Sequence, residues 1–156
     1  MNKIAIVRIR GDLNVRKDNK DTLKMLKLFN KNYCVVVDNN PNYVGMIKKI
    51  KDYVTWGEIN MDTFELLLKH RGRLAGKQKI TEEYLKEKIK CSMNEFVKEF
   101  FENKKSFKDI PGLKRFFRLT PPLKGFERGG IKKPFSLGGA LGYRKDNIND
   151  LIKRLI

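Results

Sequence analysis

The chain is poor in the residues that most catalytic and metal sites need. Its 156 residues include one histidine, two cysteines and 18 acids. Any Ser–His–Asp or Cys–His arrangement would have to use His70. That residue lies in a basic stretch with no GxSxG, papain-like cysteine context or acidic cluster around it. One histidine with two distant cysteines does not supply the close ligands of a metal site. Cys34 and Cys91 form no CxxC and sit in apolar-periodic segments, which reads as two free buried thiols in a reducing cytoplasm. Long apolar runs are missing too. The longest, Ile4–Val7 and Tyr33–Val37, fall far short of the ~20 residues of a spanning helix. The opening MNKIAIVRIRG breaks its apolar stretch at Arg8, unlike a signal peptide. No GxxxxGK[ST] accompanies Gly129-Gly130 or Gly138-Gly139, and the pair Glu82-Glu83 is explained by a helix dipole. The expectation is a non-enzyme with no cofactor, metal, small-molecule substrate or membrane.

What is abundant is positive charge. There are 35 Lys and Arg residues, for a net charge of +17 and a pI near 9.9. Hydrophobic residues make up 40%, enough for a core, so the chain is not a disordered polycation. Such a surplus opposes compactness unless a polyanion surrounds it. Its distribution is uneven. Residues 111–145 hold nine basic residues and one acid, with 7 of the 12 glycines and 4 of the 5 prolines. Gly and Pro oppose regular elements, so this charge is mounted on turns and irregular backbone. The stretch 59–110 is closer to balance, with 12 basic and 9 acidic residues.

Residues 1–59 read as strand, helix, strand, helix, strand. Ile4–Arg10 is the first strand. Asp21 is placed as N-cap of a helix whose Thr22, Met25, Leu26 and Phe29 share a face. Tyr33–Asp38 is a second strand, and its unbroken YCVVV predicts burial on both faces. Asn40-Pro41 opens a second helix, with Tyr43, Ile47, Ile50 and Val54 in phase. Tyr53–Ile59 is the third strand. Helices follow from Asp62/Glu65 read as a capping box, from Thr81, and from the capping box Ser92/Glu95, with a last one near 146–155.

The basic segments suit phosphate. Lys and Arg supply charge, and glycine lets main-chain N–H groups approach closely. The candidate RNA contacts are Arg8, Arg10, Arg16, Lys17, Lys20, Arg71, Arg73, Lys77, Lys114, Arg115, Arg118, Lys124, Arg128, Lys132, Lys133 and Arg144. Phe116, Phe117, Phe126, Phe135 and Tyr143 lie among them. They either stack on bases or pack the core, and one of Phe116 and Phe117 is expected in the core because one side of an alternating strand is buried. No zinc-finger pattern, basic zipper or evident helix-turn-helix favours DNA. Irregular basic backbone suits a folded RNA surface.

In order and spacing, several motifs resemble those of the ribosomal large-subunit protein L-thirty family, in its long archaeal and eukaryotic form. They are VRIRG (7–11), TLKMLKL (22–28), NYCVVVDN, YVTWGEIN (53–60), LLKHRGRL (67–74) and ITEEYL (80–85). Further along come FKDIPGLKRFFRLTPP (107–122), the GG-x-K-x-P run at 129–134, GGALGYR (138–144) and NINDLIKRL (147–155). The resemblance implies an α+β fold: a small ferredoxin-like βαβαβ core over 1–59, with a helical, basic Gly/Pro-rich extension over 60–156. It implies a structural, monomeric component of the large ribosomal subunit. Its partners would be large-subunit rRNA and neighbouring ribosomal proteins, in the cytoplasm. The start at the first strand, without a long basic leader, is what the archaeal form would have. A stand-alone RNA-binding regulator or chaperone is the alternative.

Overall fold

The computed structural model describes residues 3–156, the side chain of Lys77 excepted. Residues 3–58 form β1 (Lys3–Arg8), α1 (Lys17–Met25), β2 (Tyr33–Asp38), α2 (Pro41–Lys49) and β3 (Val54–Glu58), the expected order. Then come α3 (Met61–Arg71), α4 (Glu82–Ile89), α5 (Met93–Phe101), β4 (Phe117–Arg118), β5 (Gly142–Tyr143) and α6 (Ile148–Leu155). The result is an α+β fold. One sheet runs β4-β2-β1-β3-β5, antiparallel except for the β3–β5 pair.

Alternation along the strands divides the core. Ile4, Ile6, Tyr33 and Val35 pack with Leu23 and Leu26 from the α1 region and Ile47 and Ile50 from the α2 region. Ala5, Val7, Cys34 and Val36 point the other way, onto Phe64, Leu67, Phe96, Phe100, Leu151 and Ile152. Both crossover helices thus lie on one face, and the second face is covered by residues beyond 59. This is why the strands read as continuous apolar runs. Burial of the Cys34 thiol pushes its pKa well above the usual thiol range.

Several boundaries differ from the sequence reading. β1 ends at Arg8, two residues early. α1 starts at Lys17, so Asp21 lies inside it, and Thr22 Oγ1 donates back to the Asp18 carbonyl at 2.8 Å. It stops at Met25 because Lys27 turns left-handed (φ 59°) and Leu28 N–H bonds the Leu23 carbonyl at 2.8 Å. Met25 and Phe29 are consequently exposed. Val54 belongs to β3, not to α2. α3 begins at Met61, so Asp62 sits in its first turn and does not cap it. The chain entering α3 is held from α6: Asn149 Oδ1 accepts the Asn60 N–H and Asn149 Nδ2 donates to the Glu58 carbonyl, both at 3.0 Å. The Thr81 cap and the Ser92/Glu95 capping box form as read.

Candidate nucleic-acid interface

The chain bends at Arg115 and Phe116 just before β4, and its side chains divide between two sides. Lys114, Phe116 and Arg118 fall on one side, Arg115 and Phe117 on the other. Lys114 N–H bonds the Arg73 carbonyl at 3.0 Å, which fastens this segment to the chain just after α3. Arg71 and Arg73 therefore face Lys114, Phe116 and Arg118 across a cleft of about 210 Å³. Arg71 donates to Thr120 Oγ1 at 3.2 Å and to the main-chain oxygen of Ile156. Among the described residues, none of the four cations forms an ion pair with Asp or Glu. Three cations without an internal acceptor among the described residues, Arg73, Lys114 and Arg118, with Arg71 beside them, create a site for an anion with several oxygens.

Phe116 gives this cleft an aromatic wall. Its ring stacks on Tyr33 at 5.3 Å with 10° between the planes, and Phe29 meets it edge-on at 5.6 Å. The Arg118 guanidinium lies 5.6 Å from the Tyr33 ring centre. Phe117, on the opposite side, is the one of the pair that enters the core. The sequence signal for this division is the two-residue alternation in KRFFR; the Tyr33 partner, 83 positions away from Phe116, left none.

The remaining expected contacts separate into two groups. Arg16, Lys17, Lys124, Arg128, Lys132 and Lys133 are exposed, as is Arg115, while Lys20 is half-buried. Arg10 is half-buried, its guanidinium near the Tyr53 ring and bonded to the Asp52 carbonyl at 3.3 Å. The side chain of Lys77 lies outside the described residues.

Arg8 and Arg144 require correction. Arg8 is 1% exposed. It donates to the carbonyls of Arg10 (2.8 Å), Leu28 (2.8 Å) and Phe29 (2.7 Å) and to Asp12 (2.6 Å). Arg144 is 2% exposed. Its partners are both carboxylate oxygens of Glu127 at 2.6 Å, Thr55 Oγ1 at 2.8 Å and the Ala140 carbonyl at 2.9 Å. Burying a guanidinium requires this degree of internal satisfaction, which leaves neither group to meet a phosphate.

Other aromatics of the basic stretch are also occupied. Phe126 packs against the second core, and Phe135 lies 4.6 Å from the Arg144 guanidinium. Tyr143 is 47% exposed and donates to Glu58 Oε1 at 2.6 Å; that bond raises its pKa to about 12. Some glycines likewise serve the loop itself. Gly129 N–H bonds the Gly138 carbonyl at 2.9 Å, and a Cβ at Gly129 would lie 2.6 Å from that same oxygen.

The model of the ribosomal protein L30p/L7e family matches residues 4–54. A Methanopyrus kandleri protein named large ribosomal subunit protein uL30 is 54% identical over 149 residues, covering 95% of this chain and 100% of the relative. Proteins of the same name from Methanococcus vannielii and Nanoarchaeum equitans are 49% and 51% identical, each over 97% of this chain; they are covered to 98% and 97%. The chain belongs to the ribosomal protein L30p/L7e family. Membership makes it a structural component of the ribosome and not an enzyme. The L30p/L7e family match spans β1 to the start of β3, whereas the cationic cleft is built from residues beyond it. The full-length relatives extend across both parts. No helix among the described residues is long and apolar enough to cross a membrane.

Proposed function

We propose that this chain is a structural constituent of the large ribosomal subunit that holds large-subunit rRNA by its phosphates. The observation that carries the reading is the convergence of Arg73, Lys114 and Arg118, beside Arg71, on one cleft without a partner Asp or Glu among the described residues. A phosphodiester supplies the missing charge, and the partly exposed Phe116 ring supplies a stacking surface for an unpaired base. The exposed Arg16, Lys17, Lys124, Arg128, Lys132 and Lys133 extend the contact to neighbouring phosphates. The folded body holds these cations in fixed relation, so the RNA is positioned as well as neutralised. Its resident place is the ribosome of the cytoplasm, beside other large-subunit proteins.

The test is binding of the purified chain to large-subunit rRNA fragments across a salt series. Each phosphate contact contributes about 0.7–0.9 to the slope of log affinity against log salt. A steep negative slope and preference for one fragment are expected. Salt-independent binding, or equal affinity for every fragment and for unrelated RNA, would sink the reading.

A further inference from the structure

The edge of the sheet at β2 is only partly used. β2 has six residues, and β4 pairs with Tyr33 and Cys34 alone. The hydrogen bonds fix which main-chain groups face the open side. Ile59 N–H bonds the Lys3 carbonyl at 3.1 Å and Ile9 N–H bonds the Tyr53 carbonyl at 2.9 Å, so odd residues of β1 point toward β3. Ile4, Ile6 and Arg8 then point toward β2, where Val37, Val35 and Tyr33 answer them. Cys34, Val36 and Asp38 therefore turn their N–H and C=O outward. Cys34 meets Phe117, and Leu119 N–H bonds the Asn32 carbonyl at 3.0 Å in the same register. That register would next pair Val36 with Arg115, but no main-chain bond joins them. Among the described residues, the Val36 N–H and C=O and the Asp38 N–H have no partner.

A groove of about 420 Å³ lies along this edge, between the end of α1 and the chain that follows α5. Met25, 72% exposed, forms part of its apolar wall. Lys27, Lys108 and Arg115 also line it, and none of them pairs with an acid among the described residues. The groove's own acid, Asp38, is already paired with Lys3.

We propose that this edge receives an extended, acid-bearing segment of a neighbouring ribosomal protein as an additional strand beside Val36–Asp38. Val36 presents a donor and an acceptor side by side, which a single peptide residue matches with its own C=O and N–H. A phosphate accepts only and would leave the Val36 carbonyl unmatched. The three uncompensated cations select for Asp or Glu on the incoming strand. Lys27 and Lys108 lie outside the proposed rRNA contacts, so this surface is separable from the cationic cleft.

The test uses the full chain, with a photoreactive residue in place of Met25, in assembled large subunits. Mass spectrometry is expected to find the crosslink on a ribosomal-protein segment that carries Asp or Glu beside apolar residues. The double variant Lys27→Glu/Lys108→Glu is expected to cut that yield about tenfold while the chain stays on the subunit. Crosslinks to rRNA alone, a protein crosslink indifferent to the charge reversal, or no crosslink from a subunit-bound chain would each overturn the proposal. Amide exchange on the free chain reads the edge independently. Val36 is expected to exchange at least about a hundredfold faster than Val35 and Val37, and a slow Val36 would refute an open edge. Absence of the chain from large subunits would instead count against the proposed function.

Discussion

Arg144 and Glu127 grip each other through two hydrogen bonds of 2.6 Å inside the most basic stretch of the chain. Glu127 is that stretch's one acid, and it also accepts from Arg154 of α6 at 3.1 Å. The pair thereby ties the loop before β5 to the helix that covers the second core. Arg144→Ala is expected to cost about 3 kcal/mol, because it strips a largely buried carboxylate of its main partner. Arg144→Lys is expected to recover little of that loss, since an ammonium cannot make the bidentate contact. Urea unfolding of the two variants checks both.

The same pair sets an acid limit. Burial of Glu127 opposes its ionisation, but the hydrogen bonds and charge of Arg144 prevail and hold its pKa below the ordinary carboxylate value. A group depressed in the folded state stabilises fully above its unfolded pKa, about 4.3, and ceases to do so as pH falls through the folded value. Stability is therefore expected to drop below about pH 4 by less in Glu127→Gln than in the parent chain. Thermal melts at pH 3 and pH 6 provide the comparison.

Tyr143 behaves in the opposite sense. Its bond to Glu58 favours the neutral phenol, so its contribution is complete below the ordinary tyrosine pKa of about 10. It is lost as pH rises through about 12. Absorbance titration of the phenolate should give one late-titrating tyrosine, and Glu58→Gln should bring it back toward the others. An unchanged midpoint in that variant would refute the assignment.

For the cleft, Arg73→Ala/Lys114→Ala is expected to weaken rRNA binding and to reduce the salt slope by about 1.5. Phe116→Leu should leave the slope unchanged and lower affinity by about 1 kcal/mol or more if a base stacks there. Circular dichroism of each variant separates these effects from misfolding.

The free chain is expected to show graded order across 111–145. The N–H groups of Ile131, Lys132 and Lys133 have no main-chain partner among the described residues, whereas Leu123 N–H bonds the Arg154 carbonyl and Arg144 N–H bonds the Trp56 carbonyl. Rapid amide exchange at 131–133, flanked by protected anchors, is the expected pattern. Uniform protection would refute it.

The features legible in the sequence are those whose partners lie close along the chain. Ser92 and Glu95 reach each other across three residues, and Pro41 opens α2 through its own ring geometry. The doubly buried strands declared themselves by unbroken apolarity. Arg8 was misleading because its partners are set by folding: the β1 end meets the carbonyls of Leu28 and Phe29 just beyond α1. Arg144 was misread for the same reason, with Glu127 and Thr55 brought to it from 17 and 89 positions away. In the cleft, the alternating Lys114–Arg118 segment was visible, but the approach of α3's end and the Tyr33 stack was not.

The division of cover between the two sheet faces has a consequence in time. When residue 59 leaves the synthesising ribosome, α1 and α2 can already close over Ile4, Ile6 and Val35. Ala5, Val7 and Val36 are covered in stages, first by Phe64 and Leu67, then by Phe96 and Phe100, and last by Leu151 and Ile152, more than 90 residues later. At translation rates of about 5–20 residues per second, that leaves the second face incompletely covered for roughly 5–20 s. A chain destined to build ribosomes thus passes through a sticky half-finished state on the machine that makes it, a natural moment for chaperone capture.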